Sequence, residues 1–192
     1  MKQTPELPTI QFESAQAWEA WLAENHDAAP GLWLKLAKKN SGIDSVSYRE
    51  AVDVALCYGW IDSQARSFDE DYYLQRFTPR KARSPWSRIN RERATALMEQ
   101  GRLRPAGLRE IERAREDGRW DRAYEPQSAA GVPEDLQQAL DQNPRAKEFF
   151  EGLTASQRYS FLYRIQDAKR PETRARRIAQ YVAMLDEGKT LR

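Results

Sequence analysis

Apolar positions recur along this chain with two different periods, both present before residue 84 and the helical one alone beyond it. From Ser14, Trp18, Trp21 and Leu22 fall at i, i+3 and i+4, the spacing of one helix face, with Ser14 placed to cap it. That helix runs to about Asn25 and is broken by Pro30-Gly31. LWLKLAK then alternates Leu32, Leu34 and Leu36 against Trp33, Lys35 and Ala37, which predicts a half-buried strand over 32–38. After a loop at Asn40–Gly42, SYREAVDVALCYG predicts a second helix. Ser47 and Glu50 stand at capping-box spacing, Ala51, Val52, Ala55 and Leu56 form the apolar stripe, and Gly59 stops it. WIDSQARS and DYYLQRF, joined around Phe68-Asp69-Glu70, predict a hairpin over 60–77.

Beyond Ser84 the spacing is helical throughout. Ser84-Pro85 predicts an N-cap with proline in the first turn and a helix ending near Gly101. Pro105–Asp117 predicts another, stopped by Gly118, and short helices follow Pro133 and Pro144. Thr154 and Gln157 again have capping-box spacing. The last helix, from Pro171, turns Ile178, Tyr181, Val182 and Leu185 inward and stops at Gly188. The order α-β-α-β-β followed by helices predicts an α+β fold with a small antiparallel sheet of about three strands. AYEPQSAAG, Ala123 to Gly131, is the best linker. It separates an α+β domain over 1–122 from a C-terminal helical subdomain over 131–192, free-standing or packed on the first as one unit.

Composition narrows this further. With 31% charged residues and 40% hydrophobic residues, the 192-residue chain is expected to be soluble with a solvated surface and a real core. No apolar run reaches the roughly 18 residues of a membrane span, and the N-terminus lacks a secretory apolar core. A single cysteine, Cys57, leaves no internal disulfide, and one histidine, His26, leaves no cysteine/histidine zinc site. The expectation is a cytoplasmic protein with no metal and no cofactor.

Charge is unevenly spread. Residues 1–75 carry 6 Lys/Arg against 12 Asp/Glu, and the rest of the chain 25 against 17. The crossover is RFTPRKARSPWSRIN, Arg76 to Asn90, which contains no carboxylate. If a helix starts at Ser84-Pro85, its free amides and dipole point back along Thr78 to Arg83, a seat for phosphate or sulfate. Arg76, Arg80, Lys81 and Arg83 would supply charge, and Thr78, Ser84, Ser87 and Asn90 polar contacts. Trp86 would stack on a ligand or support the site from the core, with Trp60 and Asp62 in supporting roles. The opposite reading has these cations solvating a surface, or being neutralised by the acidic half.

CYGWIDS (57–63), RFTPRKARSPWSRIN (76–90) and the succession VPEDLQQAL…FFEGLTASQRYSFLYRIQDAKRPETRARRIAQYVAMLDEGK resemble the YdeI/OmpD-associated, or bacteriocin-protection, family, from roughly Phe12 to the end. The resemblance implies a link to tolerance of cationic antimicrobial peptides and to envelope stress. It implies no catalytic residue, since the family has no agreed mechanism. Gly59, Trp60, Ile61, Asp62, Arg76–Arg80, Ser84, Trp86, Ser87 and Asn90 are the positions it marks as one shared site.

Other constellations are weaker. Arg170, Arg174 and Arg177 share a helix face and suit a solvated surface or a supporting electrostatic role. Cys57 suits an inert buried thiol, and no nucleophile–base set is evident. The functional expectation is therefore a binder of a phosphate-bearing ligand: a nucleotide, a nucleic acid or a phosphorylated metabolite. The alternatives are a protein-interaction module in the stress response and, last, an enzyme acting on a phosphorylated substrate.

Overall fold

The computed structural model describes residues 6–126 and 129–191. Its fold is α+β, with a four-stranded mixed sheet and eight helices among the described residues. The elements are β1 (Thr9–Gln11), α1 (Ala15–Asn25), β2 (Leu32–Ala37), α2 (Tyr48–Cys57), β3 (Trp60–Ser67), β4 (Tyr72–Pro79), α3 (Arg88–Glu99) and α4 (Pro105–Glu116). Then follow α5 (Glu134–Asp141), α6 (Pro144–Gly152), α7 (Ala155–Gln166) and α8 (Pro171–Asp186). Two compact units partition the chain. The first comprises the chain up to Trp86 together with Asn90–Arg122, the second Ser87–Ile89 together with the chain from Ala123 onward. Of the linker stretch Ala123–Gly131, residues 127 and 128 lie outside the described residues.

In the first unit the strand order is β1-β2-β4-β3. β2, β4 and β3 form the antiparallel trio expected from the alternation of 32–38 and the hairpin over 60–77. The sheet has one strand more than expected, because β1 adds in parallel to β2 with Ile10 opposite Leu34. Three residues, TIQ, are too short to show a period, so only tertiary pairing reveals them. Leu32, Leu34 and Leu36 point to the helix-covered face and pair with Phe77, Gln75 and Tyr73. All three leucines and Phe77 are buried, beneath a ring cluster in which Trp18 contacts Phe12, Trp21, Trp60 and Phe77. Two buried indoles are also satisfied: Trp18 Nε1 donates to Ala51 O and Trp60 Nε1 to His26 O, both at 3.1 Å. A bulge between Asp62 and Ala65 bends β3, and the buried Gln75 side chain donates to Gln64 O there.

Local signals set the helix starts where they are strong. Ser14 Oγ accepts from Ala17 N, and Ser47 and Glu50 close a full capping box, as do Thr154 and Gln157. Gly59, at φ 72°, turns the chain from α2 into β3 in a left-handed conformation, and a Cβ there would also lie 2.9 Å from Ala106 O. α4 comes so near the end of α2 that a Cβ on Gly107 would meet Cys57 O at 2.4 Å.

α3 corrects one expectation. It begins at Arg88, not at Ser84-Pro85. A helix through 84 would bond Arg88 N to Ser84 O. Instead Arg88 N donates to Tyr124 O, and Ser84 O accepts from Arg119 Nη1 at 2.7 Å. Ser84 meanwhile closes a turn, its N donating to Lys81 O and its Oγ accepting from Lys81 N. Tertiary partners thus take the groups that a helical first turn would have used.

The second unit has its own core. Leu136, Leu140, Ala146, Phe150, Phe161, Ile165, Tyr181 and Leu185 form one buried cluster drawn from α5 to α8. Arg174 bridges α8 to α5 through a bidentate pair with Asp135, at 2.5 and 2.8 Å, and its Nη1 also donates to Ile165 O. Arg177 donates to Arg164 O. These arginines of the Arg170–Arg177 cluster therefore serve the last carbonyls of α7, where positive charge is favoured.

Candidate functional site

The carboxylate-free segment Arg76–Asn90 divides between several environments. Arg76 and Thr78 are half-buried on β4, on the face of the sheet turned away from Trp18 and Phe77. Arg80 is buried, its guanidinium 3.6 Å from the centre of the Trp86 ring, with Nη1 donating to Pro85 O. Trp86 is itself buried and meets Trp120 edge to face at 4.9 Å. Both therefore pack inside the 80–87 loop. Lys81 and Arg83 are exposed on its outer side. Ser87 forms a parallel bridge with Tyr124, Arg88 pairs with Glu125 at 3.1 Å, and Asn90 is half-buried in α3. The first-turn amides of α3 thus lie beyond the loop rather than along Thr78–Arg83.

Of the supporting residues, Trp60 is a core ring. Asp62, which shares the helix-covered face with Phe77, accepts a 2.7 Å hydrogen bond from the Tyr48 hydroxyl. Burial first, then this hydrogen bond and the Asp62 charge, hold the Tyr48 phenol well above its ordinary range. Arg93 lies 3.6 Å from Asp53, so the two carboxylates Asp53 and Asp62 have separate partners. Cys57 is buried and its thiol is pushed up to about 11, chiefly by desolvation. His26 Nδ1 lies 2.9 Å from Leu22 O. No group of three metal-ligating side chains occurs among the described residues, and no described helix is long and apolar enough to cross a membrane.

What the register brings together around Arg76 was not visible in the sequence. Trp33 lies opposite Arg76, Lys35 opposite Leu74, and Arg66, from the far side of β4, also opposite Leu74. Paired positions share a face, so Trp33, Lys35, Arg66, Tyr72, Leu74 and Arg76 stand on one side of the sheet. Lys35 Nζ sits 3.8 Å over Tyr72 and 4.9 Å from Phe68, and the Arg66 guanidinium 4.1 Å over Trp33. Their stems flank the fully buried Leu74. None of the three cations has a carboxylate partner among the described residues, and the buried Arg76 Nε has no hydrogen-bond partner there. Asp62, the one acid in β3, belongs to the opposite face. The result is a face of cations and aromatic rings, two of whose three cations, Lys35 and Arg66, come from the part of the sequence that is acidic overall.

Comparison with protein families divides the chain in a similar place. Residues 10–110, just over half of it, match the family described as Domain of unknown function (DUF8412). The chain belongs to that family. Residues 129–188 match the family described as Bacteriocin-protection, YdeI or OmpD-Associated. The YdeI/OmpD-associated segment therefore covers α5 to α8, a shorter span than the one expected from Phe12 onward. CYGWIDS and RFTPRKARSPWSRIN lie in the DUF8412 region instead. No curated protein and no solved structure matches the chain.

Proposed function

We propose that this chain is a cytoplasmic stress protein of the bacteriocin-protection type that binds a phosphate-bearing ligand on its N-terminal α+β unit. The YdeI/OmpD-associated match over α5–α8 supports the physiological setting. One observation carries the binding reading: Lys35, Arg66 and Arg76 share a sheet face with no carboxylate partner among the described residues. Like charges this close repel one another, and an anionic ligand would relieve that cost. Arg76 is where this face meets the carboxylate-free segment: Thr78 stands on the same face, Lys81 and Arg83 are exposed in the loop that follows, and Arg80 and Trp86 pack against each other within it. Guanidinium groups favour phosphate oxygens through planar paired donation.

The test is thermal stabilisation across a panel of nucleotides, sugar phosphates and inorganic phosphate. A saturable rise in Tm with at least one phosphorylated compound, lost in Arg76→Gln and in Lys35→Gln, is expected. A melt that no phosphorylated compound moves overturns the reading.

A second reading rests on the C-terminal unit. A cleft of about 420 Å³, lined by Arg145, Phe149, Leu153 and Leu185 among others, opens between α6 and α8. It suits an apolar side chain of a protein partner in an envelope-stress response. A Phe149→Asp variant that keeps its helicity but loses a co-purifying partner would favour this reading.

A further inference from the structure

We infer that the ligand of the β2–β4–β3 face is unpaired nucleic acid, laid across the sheet with bases against Trp33 and Tyr72 and phosphates against Lys35, Arg66 and Arg76. This inference rests on the phosphate-binding reading above and narrows it. Geometry favours a polymer over a single phosphate. Trp33 and Tyr72 belong to neighbouring strands and stand four positions apart along them, since Trp33 pairs with Arg76 and Ala37 with Tyr72. At about 3.3 Å per residue that is roughly 13 Å, more than one mononucleotide spans with its base and phosphate both engaged. Lys35 and Arg66 stand at a level between the two rings, on either side of β4, and their charged groups rest over Tyr72 and Trp33, so each ring is paired with a cation. Stacking rings interleaved with arginine and lysine fit unpaired bases, because every base has a flat face and every linkage a charge. A duplex keeps its base faces stacked inside and can offer this surface only phosphates. Trp33, Lys35 and Tyr72 are half-buried while Arg66 is exposed, so the cations are held over rings yet open to solvent. The acidic half contributes only six cations, and two of them, Lys35 and Arg66, are on this face, while Asp62 belongs to the other face and the Asp69 carboxylate accepts from Asp71 N and Tyr72 N in the hairpin turn.

Fluorescence anisotropy on the full chain, with labelled oligo(dT) and oligo(U) twelve-mers and a duplex of matched length, tests this. Saturable binding to the single strands is expected, weaker to the duplex, with a log–log salt slope near −2, about −0.7 for each of three neutralised phosphates. Trp33→Ala should weaken binding at least fivefold, the lower end of ring–base stacking. Arg66→Gln should weaken it and flatten the slope by about 0.7. Lys169→Gln, an exposed charge in the second unit, should leave both nearly unchanged. Circular dichroism confirms that each variant is folded, and Arg66→Gln, which removes an exposed side chain, carries the test if Trp33→Ala does not fold. Duplex binding equal to single-strand binding, or affinity unchanged in Arg66→Gln, overturns the inference. If mononucleotides or phosphate stabilise the protein while oligonucleotides do not bind, this inference fails and the broader reading stands. If neither binds, both fail.

Discussion

Trp86 shows how one residue can carry a functional expectation and a structural role. It is 2% exposed, with Arg80 over one ring face and Trp120 at its edge. Trp86→Ala should therefore destabilise the protein by about 3–5 kcal/mol in urea unfolding, as large-to-small changes at buried aromatic sites do. A loss below about 1 kcal/mol would mean that the ring is not part of the core. Cys57 makes a second residue-scale prediction. Its raised thiol value, about 11, and its burial should leave it unreactive to iodoacetamide at neutral pH until the protein is unfolded. Fast labelling of the folded protein would contradict its position. In sequence, Trp86 could have been a stacking ring or a core ring, because its one-dimensional neighbours are the same in both cases. What decided it was Trp120, thirty-four positions away.

Elements were legible where the signal is local. Ser14, Ser47 and Thr154 act on amides within three residues, so their helices start where the caps say. Ser47→Ala should cost roughly 1 kcal/mol of stability, measured by the same unfolding transition. The failures came where an element depends on a distant partner. β1 has too few residues to show a period, and α3 begins late because Arg119 and Tyr124 capture its would-be first-turn groups. Gly107 belongs to this scale too: Gly107→Ala puts a methyl against the Cys57 and Leu56 carbonyls and should destabilise by about 1–3 kcal/mol, although alanine is the better helix former. A neutral or stabilising outcome would mean that α2 and α4 do not approach so closely.

At the scale of the whole molecule, the phenols couple stability to alkaline pH. Burial raises Tyr48, Tyr73, Tyr159 and Tyr163 above the ordinary value of 10.0, Tyr159 to about 12. A phenol that keeps its proton longer when folded contributes stability that is complete below pH 10. That stability is lost as pH rises toward the folded value, because the unfolded chain ionises first. Unfolding free energy should therefore fall between pH 10 and pH 12, and phenolate absorbance should lag behind that of the denatured chain. Coincident titration of folded and unfolded protein would refute it. Asp135 works at the other end: its hydrogen bonds to Arg174 hold it below 3.8, so its contribution is present above that pH and lost as pH falls further. The pair is partly exposed, which keeps its worth at roughly 0–1 kcal/mol.

By itself the sequence determined the α+β class, most helix boundaries, the antiparallel trio of strands and the uneven distribution of charge. Periodicity, caps and glycine stops act over a few residues and leave their mark in the residues themselves. Only the tertiary structure decided which cations share a face. Arg80 and Arg88 look the same as Arg76 in the string, yet Arg80 lies against Trp86, Arg88 pairs with Glu125, and Arg76 shares a sheet face with Lys35 and Arg66. The side chains that share a face are set by strand register and by partners tens of residues away, and a linear pattern holds no record of either.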